Sequence, residues 1–368
     1  MKHAMTRFAL VPLLAAGWIT AASVPAHAGI LDWMQEHAAT LPGDGKSKAK
    51  APADDARLVT LEPGQTELYP KPSPDGRFLL TLVQKGKHAW ISRRYAENGD
   101  PANVVTEDAR AFDSFEWEDA GHVYFLSTRA GGLGLWDKIA DGEGMVRRLM
   151  VLHGRITQPV LLKDGAVIAV RLLPERASRA GAPRRAARHM HGDGFNSWRF
   201  PGFRAEIVRI EPDGAVRRLS EGVNPALSPD GQWVAFSMPV GRSYHLFRMH
   251  PDGSALIQVT SARSVDVQPA WSRDGKWILF TSNRAHPDMR GKGKNNWDVW
   301  AIQPDGRNLT RLTADGARDG APRMGKDGQV YFHSDRAVPK PEQQAREVKR
   351  VMRGFHVWRI GFPAGSTK

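Results

Sequence analysis

One turn recurs along this chain and limits what it can fold into: a short apolar segment, then Asp and Gly in a tight reversal, then an alternating apolar strand. The clearest copies turn at Ser73-Pro74-Asp75-Gly76, Ser228-Pro229-Asp230-Gly231 and Ser272-Arg273-Asp274-Gly275. Weaker copies turn at Asp119-Ala120-Gly121, Lys163-Asp164-Gly165 and Lys326-Asp327-Gly328, which brings the count to six. Pro presets φ, Asp accepts backbone hydrogen bonds, and Gly takes the left-handed conformation such a turn needs. From Asp75 the successive aspartates fall 44, 45, 66, 44 and 53 residues apart. A base unit of 44 with extra residues in two copies fits these steps. Units of that size hold four strands each.

A second turn lies inside the unit, at Pro212-Asp213-Gly214, Pro251-Asp252-Gly253 and Pro304-Asp305-Gly306, each between two apolar strands. Each unit therefore reads as strand, tight turn, strand, loop, strand, tight turn, strand. Such units close radially into a β-propeller. The residues Ser228-Pro229-Asp230-Gly231, and Ser282-Asn283-Arg284 with Trp300 following, resemble the PD40 repeat, the WD40-like unit of TolB and of the propellers that cap prolyl oligopeptidases. The resemblance spans roughly residues 57–362 and implies an all-β, six-bladed β-propeller with four-stranded blades. It also suggests association with the cell envelope. TolB carries an α/β domain ahead of its propeller, and residues 29–56 are too short to form one. The last unit ends at Phe355-His356-Val357-Trp358-Arg359-Ile360 without a fourth strand. Residues 57–61 are expected to supply it, an N-terminal strand closing the last blade, with Leu58 and Leu61 paired to it.

The chain has 52 Lys and Arg against 39 Asp and Glu, a net charge of +13, and no Cys. Lys2 and Arg7 precede a largely apolar stretch from Phe8 to Val24, and Ala26-His27-Ala28 offers small residues where a signal peptidase reads. Residues 1–28 thus read as a cleaved signal peptide, leaving no transmembrane segment and placing the mature protein in the periplasm, with secretion as the alternative. Residues 29–56 read as an N-terminal segment and linker, with the start of an amphipathic helix at 30–34 and a Gly- and Pro-rich stretch at 41–55. The propeller is assigned to 57–368. Without Cys, neither a lipoprotein signal nor a disulfide is available, so the fold must rest on its core.

The extra residues of three units fall in the loop between the second and third strands, at 174–203, 285–296 and 337–354. Because adjacent strands alternate in direction, these loops share one face and the Asp-Gly turns share the other. The inserts are basic. Their net charges are +4, +2 and +3, most of the +11 left after signal cleavage. Arg184, Arg185, Arg188, Trp198 and Arg199 from the first, Arg290, Lys292 and Lys294 from the second, and Arg346, Lys349, Arg350 and Arg353 from the third are the candidate binding residues. Phe195, Phe200 and Phe203 lie beside them, and Arg with aromatic neighbours suits anionic sugars. A solvated, non-binding set of basic loops is the competing explanation. In the third insert, 342–353 has helical spacing, with Val348, Met352 and Phe355 on one side.

Catalytic patterns mostly fail inspection. Gly43-Asp44-Gly45-Lys46-Ser47 lacks the first glycine of a phosphate-binding loop, since position 40 is Thr. Gly241-Arg242-Ser243-Tyr244-His245 begins like a nucleophile elbow and ends in His instead of Gly. His189 and His191 with Asp193 could ligate a metal, but Arg184, Arg185 and Arg188 repel a cation there, so no metal and no cofactor is expected. His245 and His333 read as structural, and Trp90, Trp136, Trp233, Trp277, Trp300 and Trp358 as packing between blades. The chain is therefore expected to act as a non-enzymatic scaffold whose basic loop face and axial funnel receive an envelope protein or anionic polymer, not nucleic acid. A propeller lyase or hydrolase acting on an acidic saccharide is the alternative. Strand carboxylates or His converging on the axis would favour it.

Overall fold

The computed structural model describes residues 54–108, 113–175, 194–287, 296–348 and 354–363, together with the backbone of Ala39–Thr40. All belong to the unit Ala39–Lys368. The expected signal peptide, the helix at 30–34 and most of the linker lie outside the described residues, as do Arg184, Arg185, Arg188, Arg290, Lys292, Lys294, Lys349, Arg350 and Arg353. No described helix is long and apolar enough to cross a membrane.

Six sheets form, each built on four antiparallel strands, and together they make a six-bladed β-propeller. The innermost strands are Thr66–Pro72, Phe115–Trp117, Ile156–Leu161, Val223–Leu227, Asp266–Trp271 and Asp319–Met324. Blades 1 to 5 take their strands consecutively. Blade 6 continues with Gln329–Ser334 and His356–Gly361 and is completed by Arg57–Leu58. Arg57 pairs with Arg359 and Leu58 with Trp358, and the Val59 amide donates to the Val357 carbonyl at 2.8 Å. Leu61, expected in the same ladder, lies past it. It is buried with Trp358 and Ile360, where the chain turns into the first blade. Closure leaves no blade with a missing strand. Ala39–Thr40 adds a parallel strand beside Ile257–Gln258 in blade 4.

The repeated turn works as its residues dictate. In blade 1 the Ser73 hydroxyl donates to Asp75 at 2.6 Å, the Arg77 amide donates to Asp75 at 3.0 Å, and the Phe78 amide donates to Ser73 Oγ at 2.9 Å. Blade 5 repeats the pattern with Ser272, Asp274, Lys276 and Trp277. Gly76, Gly231 and Gly275 have φ of +79°, +76° and +70°, where a Cβ would be strained.

Three blades share a second device, at Ser127-Thr128-Arg129, Ser282-Asn283-Arg284 and Ser334-Asp335-Arg336. Each guanidinium lies over two rings, Phe125 and Trp136, Phe280 and Trp300, or Phe332 and Trp358. Each also pairs with an Asp: Asp266 or Asp319 at the start of an innermost strand, or Asp108 in the connection leading to one. Trp136, Trp277, Trp300 and Trp358 are buried as packing residues.

Candidate functional site

A bulge at the same place in the innermost strands builds the axis. In blades 1, 3, 4, 5 and 6 the register slips around an X-Pro dipeptide, and X takes a left-handed conformation: Tyr69, Gln158, Asn224, Gln268 and Ala321, with φ from +49° to +55°. Proline cannot donate to a ladder, so a bulge there is the natural accommodation. The X amide then points at the neighbouring blade. Asn224 N–H donates to Gln158 Oε1 at 2.7 Å, Gln268 N–H to Asn224 Oδ1 at 3.4 Å, and Ala321 N–H to Gln268 Oε1 at 2.8 Å. Tyr69 N–H donates to His333 Nδ1 at 3.1 Å, and Gln158 N–H to Ser114 Oγ at 3.3 Å. Lys71 Nζ to Asp113 at 2.7 Å links blade 1 to blade 2. One hydrogen-bond ring thus joins all six blades. Burial pushes the His333 imidazole down to about 3, so it stays neutral and keeps this acceptor.

The loop-face mouth of the axis is plugged. Residues 194–198, at the end of the first insert, return to the centre. There Gln158 Nε2 donates to the Ser197 carbonyl at 2.8 Å, and Gln268 Nε2 donates to the Phe195 carbonyl at 3.2 Å and to Ser197 Oγ at 3.0 Å. The Tyr69 hydroxyl donates to the Gly194 carbonyl. Phe195 stacks on Phe355 with centroids 5.5 Å apart and planes 7° apart, and lies 5.7 Å from Trp297; Trp198 lies 5.1 Å from Trp297. A Cβ on Gly320 would come within 2.7 Å of Phe195, so a glycine is required where the plug meets blade 6.

This corrects two expectations. Trp198 is 1% exposed and packs inside the plug, so it is not a stacking platform on the rim. The axial funnel, expected to receive the partner together with the loop face, is closed on that side by the plug. Of the other described candidates, Arg199 is exposed, beside a loop-face cavity of about 930 Å³ that Arg318, Asp335 and Phe195 also line. Arg346 is turned inward: its guanidinium donates to the Val59 carbonyl at 3.0 Å and the Asn98 carbonyl at 3.2 Å, holding the closing strand. The helix of the third insert is Lys340–Ala345, short of the predicted 342–353. Val348 packs with Trp358 and Leu61, whereas Phe355 joins the plug, so they share no helical stripe.

From the turn face the axis is open. A cavity of about 740 Å³ is lined by residues of all six blades, with Gln158 of the ring among them. Lys71, 4% exposed, lies 2.7 Å from Asp113 and 3.1 Å from Glu116; Arg323 reaches Glu116 at 3.9 Å. Burial pushes the Asp113 carboxyl up, and the Lys71 and Arg323 charges more than reverse this, leaving it below its ordinary range. The sequence reading did not identify this cluster. Its signal was there: Lys71 and Arg323 each stand two residues after the left-handed one, where blades 3, 4 and 5 have Val160, Ala226 and Ala270.

Asp54, Asp315 and Asp319 are grouped closely enough for a cation. Arg336 fills that role, with Nη1, Nε and Nη2 at 3.0, 3.1 and 2.6 Å from the three carboxylates. His189, His191 and Asp193 lie outside the described residues.

Buried carboxyls set a pH dependence. Burial pushes Asp298 up to about 6 against the pull of Arg311, and Asp319 is raised for the same reason. Both bind protons more readily in the fold than when unfolded, so their contribution to stability is lost as pH rises, for Asp298 through about 6. Asp75 and Asp108 act oppositely. Burial raises them, but hydrogen bonds from Ser73 and Arg77, or from Arg129 and Thr106, bring them down to about 2. Their contribution is present above the ordinary carboxylate range and lost as pH falls toward 2. Melting temperature is expected to peak near pH ~5 and to fall on both sides. A pH series followed by circular dichroism checks this; a steady rise from pH ~5 to ~8 contradicts it.

The sheets define the class, a six-bladed propeller closed by its N-terminal strand. No family model matches the chain, and no curated protein matches it. Among solved structures it is similar to a TolB-type protein from Agrobacterium tumefaciens, at 19% identity and a TM-score of 0.49, over 69% of this chain and 83% of that one. It is similar to TolB from Acinetobacter baumannii, at 16% and 0.47, over 74% of this chain and 59% of the other. It is also similar to an oligogalacturonate lyase in complex with manganese, at 14% and 0.49, over 88% and 96%. At such identities a shared chain path does not carry ligand or activity with it.

Proposed function

We propose that this chain is an exported binding module of the cell envelope, a rigid propeller that offers its basic loop face to a protein or an anionic envelope polymer. One observation carries the reading. Phe195, Trp297 and Phe355, from the ends of the three basic inserts, meet in a single aromatic cluster over the plugged axis. Arg184, Arg185, Arg188, Arg290, Lys292, Lys294, Lys349, Arg350 and Arg353 belong to the inserts that lead into these three residues. Arg199 is exposed at the loop-face mouth. Cations gathered on one face steer an anionic partner and set its orientation. Trp198 and Arg346 serve this site by holding it in place. The basic, apolar start of the chain and its Ala26-His27-Ala28 site support export to the periplasm.

The rival reading, a propeller enzyme acting on an acidic saccharide, draws on the charged residues that converge on the axis. Their pairing favours binding instead. Asp113 is held ionised by Lys71, and Glu116 sits against both Lys71 and Arg323, so these charges are engaged with one another.

Affinity capture from an envelope fraction tests the proposal. The mature chain is compared with one lacking 176–193 and 288–295, both keeping the plug. A partner held by the intact chain and lost by the shortened one, or lost as salt rises, is the expected result. A partner held equally by both forms refutes the loop face as the site.

A further inference from the structure

The turn-face cavity is amphipathic in a way the repeat does not require. Blades 3, 4 and 5 line it mostly with apolar groups, among them Pro159, Val160, Pro225 and Trp271, with Lys163 and Arg273 beside them. Blades 6, 1 and 2 line it with Arg323, Lys71, Asp113 and Glu116. A propeller built only for stability has no reason to place Lys and Arg where three other blades use Val160, Ala226 and Ala270. Removing charge from water is costly unless geometry is good, and small apolar residues at that position serve the fold as well.

The cluster is also unevenly satisfied. Lys71 is fully engaged, with two carboxylates at 2.7 and 3.1 Å. Arg323 is 21% exposed and has its nearest carboxylate at 3.9 Å, the outer limit of an ion pair. Its Nη1 donates to the Pro322 carbonyl at 3.1 Å, and the side chain lines the cavity with a guanidinium that has five donors in all. Glu116 is one-third exposed and presents a carboxylate beside it. A cation and an anion thus stand side by side on one wall, facing a mostly apolar wall, in a pocket whose volume suits a small ligand.

We propose that this cavity binds a small zwitterion of amino-acid type, a free amino acid or short peptide with an apolar side chain. Its carboxylate pairs with Arg323, its ammonium with Glu116, and its side chain rests against Pro159, Pro225 and Trp271. The plug keeps this pocket separate from the loop face, so the two sites act independently.

Titration of the mature chain with the dipeptide L-alanyl-L-phenylalanine, followed by calorimetry and by NMR, tests this. Saturable one-to-one binding is expected, with the N-acetylated and C-amidated forms each at least about tenfold weaker. Arg323→Gln is expected to weaken the free dipeptide by at least about tenfold while leaving the melting transition cooperative. Glu116→Gln, at a more exposed position, is expected to do the same through the ammonium. Absence of saturable binding, equal binding of the blocked forms, or undiminished affinity in both variants overturns the proposal.

Discussion

Replacing Arg336 by alanine is expected to lower the unfolding free energy by about 3–5 kcal/mol, one of the two largest losses from any single site in this fold. The side chain holds three carboxylates together: Asp54 ahead of the closing strand, Asp315 after blade 5, and Asp319, fully buried, at the start of blade 6. Its guanidinium also covers the faces of Phe332 and Trp358. Alanine leaves Asp319 buried without a counterion and two further carboxylates beside it. Arg336→Lys keeps the charge but not the planar fork, and should fall between the two. Adding Asp319→Asn to Arg336→Ala should recover more than about 1 kcal/mol, because the buried charge is then gone. The loss of stability with rising pH should extend further upward in Arg336→Ala, since Asp319 then holds its proton more tightly. Urea denaturation read by circular dichroism measures each value. A loss below about 1 kcal/mol for Arg336→Ala contradicts the role given to this residue in closure.

Phe195→Ala is expected to cost about 3–5 kcal/mol if the plug unfolds with the whole domain. Phe195 touches Phe355, Trp297, Trp198 and His333, so truncation empties the centre of the aromatic cluster. It also loosens residues 194–198, whose carbonyls are held by Gln158 and Gln268. Should the plug open locally instead, hydrogen exchange separates the two cases. Protection of residues 194–200 is then lost first, while the innermost strands keep theirs. Unchanged stability together with unchanged exchange in 194–200 contradicts the plug.

The parts of this molecule legible in the sequence are those whose causes are local. Asp75, Asp230 and Asp274 bond to amides two residues on and to a serine two residues back, so their turns announce themselves and fix the blade count. Closure was legible because the last repeat is one strand short. The ring was visible only as punctuation. Asn224-Pro225 and Gln268-Pro269 stand out within the repeat, but which neighbour accepts each displaced amide depends on the next blade. Trp198 misled because aromatic residues among arginines look like a surface motif. Its burial depends on a long connection folding back to the axis, which no local pattern reports. Arg346 misled for a similar reason: its partners are the Val59 and Asn98 carbonyls, nearly the whole chain away. Lys71 and Arg323 were legible in principle, by laying the repeats over one another and asking which residue departs from the rest.

On the proposed function, the basic residues of the three inserts form one binding face. Retention of the mature chain on immobilised poly-L-glutamate, between about 50 and 300 mM salt, tests it most directly. The intact chain and a variant with Lys163 and Arg273 neutralised on the opposite face should be retained alike, with binding falling as salt rises. A variant with Arg184, Arg185, Arg188, Arg290, Lys292 and Lys294 changed to glutamine should pass through at the lowest salt. Equal retention of that variant contradicts the claim.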